Sequence, residues 1–307
     1  MGKRRAALSG QLGDVDIRTL RIFRAVVENG GFSAAEVELG ISTSAISMAI
    51  SDLESRLRMK LCQRGRAGFS LTDEGSQVFD ATLRLLSSLE NFRAEVNGIH
   101  EQLRGDLNIA VTDNLVTMHR HMRVTDSLAA LKRRGPEVRI NIRMMPPADI
   151  QKGVLDGRIH VGVIPDLNHL AGLNYLDLYD EDSQLYCGSS HALFATEDEA
   201  LSEELILQQD AVLASASVPA SAGHFIRQLQ GAATATDREG IAFLILSGEY
   251  VGFLPDHYAE RWVRDGRMRA LLPDTFSYQT RFSAITRKGA RPNLVLSTYL
   301  EELLQPR

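Results

Sequence analysis

From Val78 onward the apolar residues of this chain fall into two interleaved series, each repeating every seven residues: Val78, Leu85, Phe92 and Ile99, and, offset by four, Thr82, Leu89, Val96 and Leu103. That spacing keeps side chains on one stripe of an α-helix. Sustained over more than three heptads with polar residues between, the stripe is the a/d seam through which long helices pair. The helix it predicts spans 72–104: Thr72 stands at the N-cap, Asp73 and Glu74 complement the dipole in the first turn, and Arg104-Gly105-Asp106 ends the run. The seam implies a second helix, most simply the same helix of another copy of the chain, giving a dimer and, by pairing of dimers, a tetramer. Packing against the chain's own domain is the competing reading.

Upstream, Ile17, Leu20, Phe23 and Val27 recur at helical spacing between 16 and 29, and Gly30-Gly31 breaks the pattern. A second, short helix is predicted from Ser33 to about Gly40, with Glu36 completing a capping box. After the turn Gly40-Ile41-Ser42, a third helix carries Ile46, Ile50, Leu53 and Leu57 on its core face. Its opposite face carries Thr43, Ser44, Ser47, Met48 and Ser51, small or flexible side chains that let a helix sit deep in a groove. Short helix, tight turn and longer helix form the helix-turn-helix arrangement, whose second helix presents its N-terminal residues to base edges of double-stranded DNA. Ser33, Ser42, Thr43, Ser44, Ser47, Met48 and Ser51 are the candidate groove-facing residues.

Leu61 and the stretch Arg64-Gly65-Arg66-Ala67-Gly68 lead into Phe69-Ser70-Leu71, which reads as two short strands around a turn, a wing. Charge supports this placement. The chain carries −5 overall, yet residues 1–70 hold 11 Lys and Arg against 7 Asp and Glu, leaving −9 for the remainder. Between 53 and 70, Arg56, Arg58, Lys60, Arg64 and Arg66 face only Glu54. A patch of this kind suits a phosphate backbone, to which it adds salt-dependent, sequence-independent affinity. Arg56, Arg64 and Arg66 are the candidate phosphate contacts; a solvated helix end is the alternative.

Beyond Gly105 apolar runs alternate with helical segments. Residues 107–111, 138–144, 159–164 and 251–254 read as buried strands, and 118–133, 150–155 and 240–246 as helices between them, an alternation that implies a parallel sheet. Whether it forms one sheet or two lobes stays open at this level. An enzyme is disfavoured because the chain has no G-x-S-x-G elbow, Walker-type loop, HExxH or strand-following G-x-G-x-x-G. His119 and His121, two apart on a presumed helix, point to different sides and suit no common metal; His191 reads as a turn residue rather than a general base. No metal or cofactor is expected.

Cys62 and Cys187 are the only cysteines. Far apart in sequence, they read as free thiols of a reduced compartment, and one cysteine in the C-terminal half is too few for redox sensing. No apolar run of about 18 residues spans a membrane, and residues 1–15 lack the apolar segment of a secretory signal, so they read as a mobile tail of a cytoplasmic protein. A solute-binding protein without DNA function is the rival; it would need export, and the wing and seam speak against it.

Phe23, Ser33-Ala34-Ala35, Leu39, Ser42, Ala45-Ile46-Ser47, Ile50, Leu53-Glu54, Leu61, Arg64 and Leu71-Thr72-Asp73-Glu74-Gly75 together closely resemble the LysR-type transcriptional regulators. Weaker echoes continue at Asp156-Gly157, Thr236-Asp237, Gly252-Phe253-Leu254-Pro255, Gly266-Arg267 and Leu271-Leu272, so the likeness covers essentially the whole chain. It implies an N-terminal all-α winged helix-turn-helix (16–71) with a long linker helix (72–104). Behind them it implies an α/β domain like the periplasmic binding proteins (105–307), with lobe one at 106–180 and 273–307, lobe two at 181–272, and two crossover strands. It further implies an interrupted palindromic operator, a small-molecule effector between the lobes, and RNA polymerase as a further partner. By position the cleft candidates are Thr112, Asp113 and Asn114, Pro146 and Pro147, Pro165 and Asp166, and Ser215 and Thr236. Two departures stand out. Thr43 and Met48 replace the Gln or Arg of many relatives, removing the usual bidentate base contacts, and Pro146-Pro147 replace Ser or Gly-Ser, removing donors that would hold a carboxylate.

Overall fold

The computed structural model describes residues 11–65, 68–99, 103–113, 115–118, 123–215, 218–290 and 292–304. Arg66, Asn114, His119 and His121 lie outside the described residues, as do the side chains of Arg64 and Ile99. The chain divides into two units, Met1–Arg93 and Ala94–Arg307.

In the first unit, α1 (Asp14–Glu28), α2 (Phe32–Leu39) and α3 (Thr43–Leu57) surround a core of Phe23, Val26, Ala35, Ile46, Ile50 and Leu61, all but withdrawn from water. The apolar spacing of α3 did what it predicts, since Ile46, Ile50, Leu53 and Leu57 are all buried. Ser42 caps α3, accepting from the Ala45 N–H at 3.3 Å, and Gly40 takes the left-handed conformation (φ 64°) that ends α2 within one residue. The capping box expected at Ser33 does not form. Phe32 is drawn into the core against the Phe69 ring (5.8 Å, edge-on), so the helix starts one residue earlier with Gly31 as its cap, and Glu36 instead accepts from the Thr43 hydroxyl. β1 (Cys62–Gly65) and β2 (Gly68–Leu71) pair antiparallel from Cys62↔Leu71 to Gly65↔Gly68, forming the expected wing.

α4 (Asp73–Ile99) begins as predicted, with the Thr72 hydroxyl accepting from the Gly75 N–H at 2.8 Å. Gly75 is required here, because a Cβ would stand 2.0 Å from the Leu61 carbonyl oxygen. The seam divides in two. Val78, Phe79 and Leu85 pack on the core of the first unit and Thr82 is buried, whereas Phe92 (64% exposed) and Val96 (38%) remain in water. Leu103, predicted within the helix, lies beyond its described end and packs on the core of the second unit. Val78 and Leu85 thus pack within the first unit and Leu103 within the second, which leaves Phe92 and Val96 as the exposed part of the stripe.

The second unit opens with β3 (Gly105–Val111), α5 (Arg123–Arg134), β4 (Val138–Met144), α6 (Pro147–Leu155) and β5 (Val161–Pro165). The long β6 (Leu173–Gly188) follows, then α7 (Glu203–Leu207), β7 (Asp210–Ala214), α8 (Gly223–Ile226), β8 (Gln230–Ala235), α9 (Arg238–Leu246), β9 (Val251–Pro255), α10 (Asp256–Arg264) and β10 (Met268–Ala270). β11 (Ser277–Arg287) and α11 (Leu294–Leu304) complete it. The strand order is β4-β3-β5-β11-β6-β9-β7-β8, with β10 also on β6. β3, β4 and β5 pair in parallel, as do β7, β8 and β9, but β6 and β11 run antiparallel to each other from Leu173↔Arg287 to Gln184↔Ser277. The sheet is therefore mixed rather than parallel. Two lobes result, one on β3–β5 with α5, α6 and α11, the other on β7–β9 with α9 and α10, joined by the two long strands.

Two other expectations are adjusted. The strand at 138–144 is an edge strand with Ile142 and Met144 exposed, because only β3 covers it; Met118, expected to open a helix, is buried outside it, and the helix is described from Arg123.

Candidate DNA-binding surface and effector cleft

On α3, Ser42, Ser44, Ser51 and Met48 (67% exposed) face solvent, Thr43 and Ser47 are half-buried, and Ser33 is exposed on α2. Three of the hydroxyls are already engaged within the head, Thr43 to Glu36 and Ser42 and Ser44 to each other at 2.9 Å. The basic patch is more ordered than its charge count suggested. Arg56 pairs with the nearly buried Asp16 at 2.6 Å and donates to the Gln11 carbonyl, so it works first as an internal tie. Lys60 pairs with Glu54 at 2.5 Å.

Glu54 enters the sequence reading as a lone opposing charge and within the family resemblance, without a structural role. Buried on α3, it accepts from the N–H groups of Leu61 (2.8 Å) and Cys62 (3.2 Å), fixing the entry of the wing to the recognition helix. Burial acts to raise its pKa, but Lys60 and the two N–H groups outweigh it and hold the carboxyl below its ordinary value.

In the second unit the lobe-one candidates come together at the C-terminal ends of parallel strands. Met145 donates to the Val111 carbonyl and Thr112 to that of Val163, which sets Pro146, Thr112 and Pro165 side by side. Pro146 caps α6 and Pro147 is its first residue, a position where proline loses no helical bond. Thr112 is only 4% exposed and its hydroxyl has no partner among the described residues. Asp166 is occupied internally, accepting from the Ser283 hydroxyl at 3.0 Å and contacting His169 at 2.5 Å. In lobe two, Ser215 and Thr236 are both exposed and adjoin each other through the Ser215 N–H on the Ala235 carbonyl.

Asp113 has a partner the sequence reading missed. Arg238, first residue of α9, donates its backbone N–H to Asp113 Oδ2 (2.8 Å) and Nη1 to Oδ1 and to the Asp113 carbonyl (both 2.9 Å). Its Nη2 reaches Glu181 Oε2 on β6 at 2.7 Å, and Glu181 Oε1 meets His257 Nε2 on α10 at 2.9 Å. His257 Nδ1 closes the circuit on Thr117 in lobe one, at 2.7 Å. A cation in a helix's first turn opposes the macrodipole, so Arg238 directly after the N-cap Asp237 was the available signal of an acidic partner. Burial works against its charge, but Glu181 and Asp113 outweigh it and raise its pKa. Nearby, burial lifts the Asp256 carboxyl to about 6 despite the Tyr186 hydroxyl that donates to it at 3.2 Å.

Cys187 is fully buried on β6, and burial pushes its thiol up to about 11, which fits a structural thiol. His191 is buried in a turn, its Nδ1 accepting from the Leu193 N–H, as the turn reading expected. Among the described residues, no helix is long and apolar enough to cross a membrane.

The family model described as "Bacterial regulatory helix-turn-helix protein, lysR family" matches residues 17–76, and "LysR substrate binding domain" matches residues 100–306. The chain is 55% identical to the HTH-type transcriptional activator BauR of Pseudomonas aeruginosa over 98% of both chains. It is 26% identical to the HTH-type transcriptional regulator CrgA of Neisseria meningitidis serogroup B, over 93% of this chain and 95% of that one. Among solved structures it is similar to CbnR, a LysR family transcriptional regulator, with a TM-score of 0.66 at 18% identity over 94% of this chain and 97% of that one. The full-length CbnR complex with its target DNA aligns similarly, with a TM-score of 0.65 at 18% identity over 94% and 98%.

Proposed function

Because this chain belongs to the LysR-type family of DNA-binding, effector-modulated transcriptional regulators, we propose that it activates transcription from an interrupted palindromic operator. The observation that carries the DNA half is α3, an amphipathic helix whose solvent face of Ser44, Ser47, Met48 and Ser51 adjoins a basic hairpin held to it by Glu54. Activation rather than repression is supported by the name of the 55% identical relative, a transcriptional activator. With Ser, Thr and Met in place of Gln or Arg, the head reads its operator by apolar contact, single hydroxyl bonds and DNA shape more than by bidentate bonds.

Two subunits pair through the exposed part of α4, around Leu89, Phe92 and Val96, with the operator's two-fold symmetry following from theirs. Dimers associate further to tetramers in the cytoplasm, and the bound assembly engages RNA polymerase. The effector enters between the lobes, bordered by Thr112, Asp113, Asn114, Pro146 and Pro147 on one side and Ser215 and Thr236 on the other. The Thr112 hydroxyl, without a partner among the described residues, supports this reading, since a buried polar group without a bond costs about 1–3 kcal/mol unless a ligand or water satisfies it. Asp166, already bonded to Ser283 and His169, shapes the border rather than binding.

A footprint of the purified chain on DNA flanking its own gene, at about 0.1 M salt with excess non-specific competitor, tests the reading, because backbone binding alone fades under those conditions. The expected result is protection of two half-sites related by a two-fold axis. No protection there or in a pool of random sequences would overturn it.

A further inference from the structure

The circuit of bonds across the cleft joins the two lobes beside the strands β6 and β11 that connect them. Asp113 and Thr117 belong to lobe one, Arg238 and His257 to lobe two, and Glu181 lies on β6 between them. We propose that Arg238 is an interlobe latch: bound at once to Asp113 and Glu181, it fixes the separation of the lobes, and release of Asp113 is the step that lets that separation change. This rests on the reading of the cleft as the effector site and adds the device by which occupancy reaches the rest of the domain.

The two halves of the latch differ in the way such a device needs. The Glu181 side chain is 2% exposed and holds Arg238 and His257 from within, whereas Asp113 is 33% exposed on the connection after β3. Stranding a buried charge is strongly unfavourable. When Asp113 lets go, however, Arg238 keeps Glu181 as its counter-ion, and Asp113 is left at the surface where water solvates it. The bond that breaks is therefore the one whose loss leaves no buried charge uncompensated. These two acids hold Arg238 against its own helix dipole, with the face of the Phe282 ring at 6.0 Å as a further contact.

The test reads lobe separation directly and involves no DNA. In the full chain carrying Cys62→Ser, spin labels at Ala129→Cys on α5 and Ala232→Cys on β8, both exposed positions, report the distance between lobes by pulsed electron resonance; Cys187 is fully buried. Labelled chain is diluted with unlabelled chain so that only separations within one chain are read. Arg238→Met and Asp113→Asn are each expected to shift the distribution to longer separations, and the double variant no further than the larger single shift. Asp182→Asn, on the same strand but outside the circuit, leaves it in place. Distributions of Arg238→Met and Asp113→Asn that superpose on the parent's would overturn the latch. Asp113→Asn leaves the buried Arg238–Glu181 pair intact, so the question stays answerable should Arg238→Met fail to fold. A shifted distance with no operator footprint would instead overturn the regulator reading and leave the latch standing.

Discussion

Two buried groups set the sharpest expectations for single residues. Glu54→Ala deletes the acceptor of two backbone N–H groups at the mouth of the wing, and each donor left unsatisfied costs about 1–3 kcal/mol. Urea unfolding should show a loss of about 2–4 kcal/mol in the first unit, and Glu54→Gln, which keeps one acceptor oxygen, a smaller loss; equal effects of the two would mean the N–H bonds contribute nothing. His160 sets an expectation for the acid side of the second unit. Its Nδ1 accepts from the Asn108 N–H at 3.2 Å, and burial depresses the imidazole to about 4 from an ordinary 6.5. A folded-state pKa below the unfolded one gives stability that is complete above pH 6.5 and declines as pH falls through 4. The loss is on the order of 3 kcal/mol. Denaturation midpoints between pH 7 and 4.5 should fall for the parent chain and fall less for His160→Gln.

At the scale of elements, α4 makes two different predictions along one stripe. Phe92→Glu with Val96→Glu places charge on exposed positions and should leave the fold's stability nearly unchanged while light scattering reports the mass of a single chain. Val78→Glu or Leu85→Glu instead puts a carboxylate against the core of the first unit and should lower its melting temperature, whatever the oligomer. An oligomer that survives Phe92→Glu with Val96→Glu would remove α4 as the pairing element. The same helix marks how far the sequence could be read. Period-seven spacing identifies a stripe but not what covers it, so Val78 and Phe92 look alike until Phe79 is found edge-on to Phe23. Local signals with a fixed geometry were legible: the spacing of α3, the Thr72 cap, the wing. The crossover strands β6 and β11 were reached only through the family resemblance, because their half-exposed, charge-bearing segments, such as 177–182, lack the apolar run of a buried strand. Arg238, Glu181 and His257 were missed for a related reason. Glu181 lies 57 residues from Arg238 and 76 from His257, and only the folded sheet brings them within bonding distance.

For the molecule as a whole, charge is divided between its two jobs. The first 70 residues carry a surplus of 4 positive charges inside a chain of net −5, so attraction to DNA is confined to the head while the sensing domain is repelled from the same phosphates. The structure narrows which cations remain for that attraction, since Arg56 is tied to Asp16 and Lys60 to Glu54. On the proposed reading of the wing, Arg64 and Arg66 are the phosphate contacts to test first. Replacing both by Ala removes about two phosphate contacts per subunit. The slope of log K against log salt should become shallower by roughly 2 per subunit, and by about twice that for a dimer on both half-sites. The loss must be uniform across operator and unrelated DNA, because a phosphate contact carries no sequence information. Titrations at several salt concentrations on both DNAs decide it: a loss confined to the operator would move Arg64 and Arg66 from the backbone to the bases, and an unchanged slope would return the electrostatic work to Arg58 and the tied pairs.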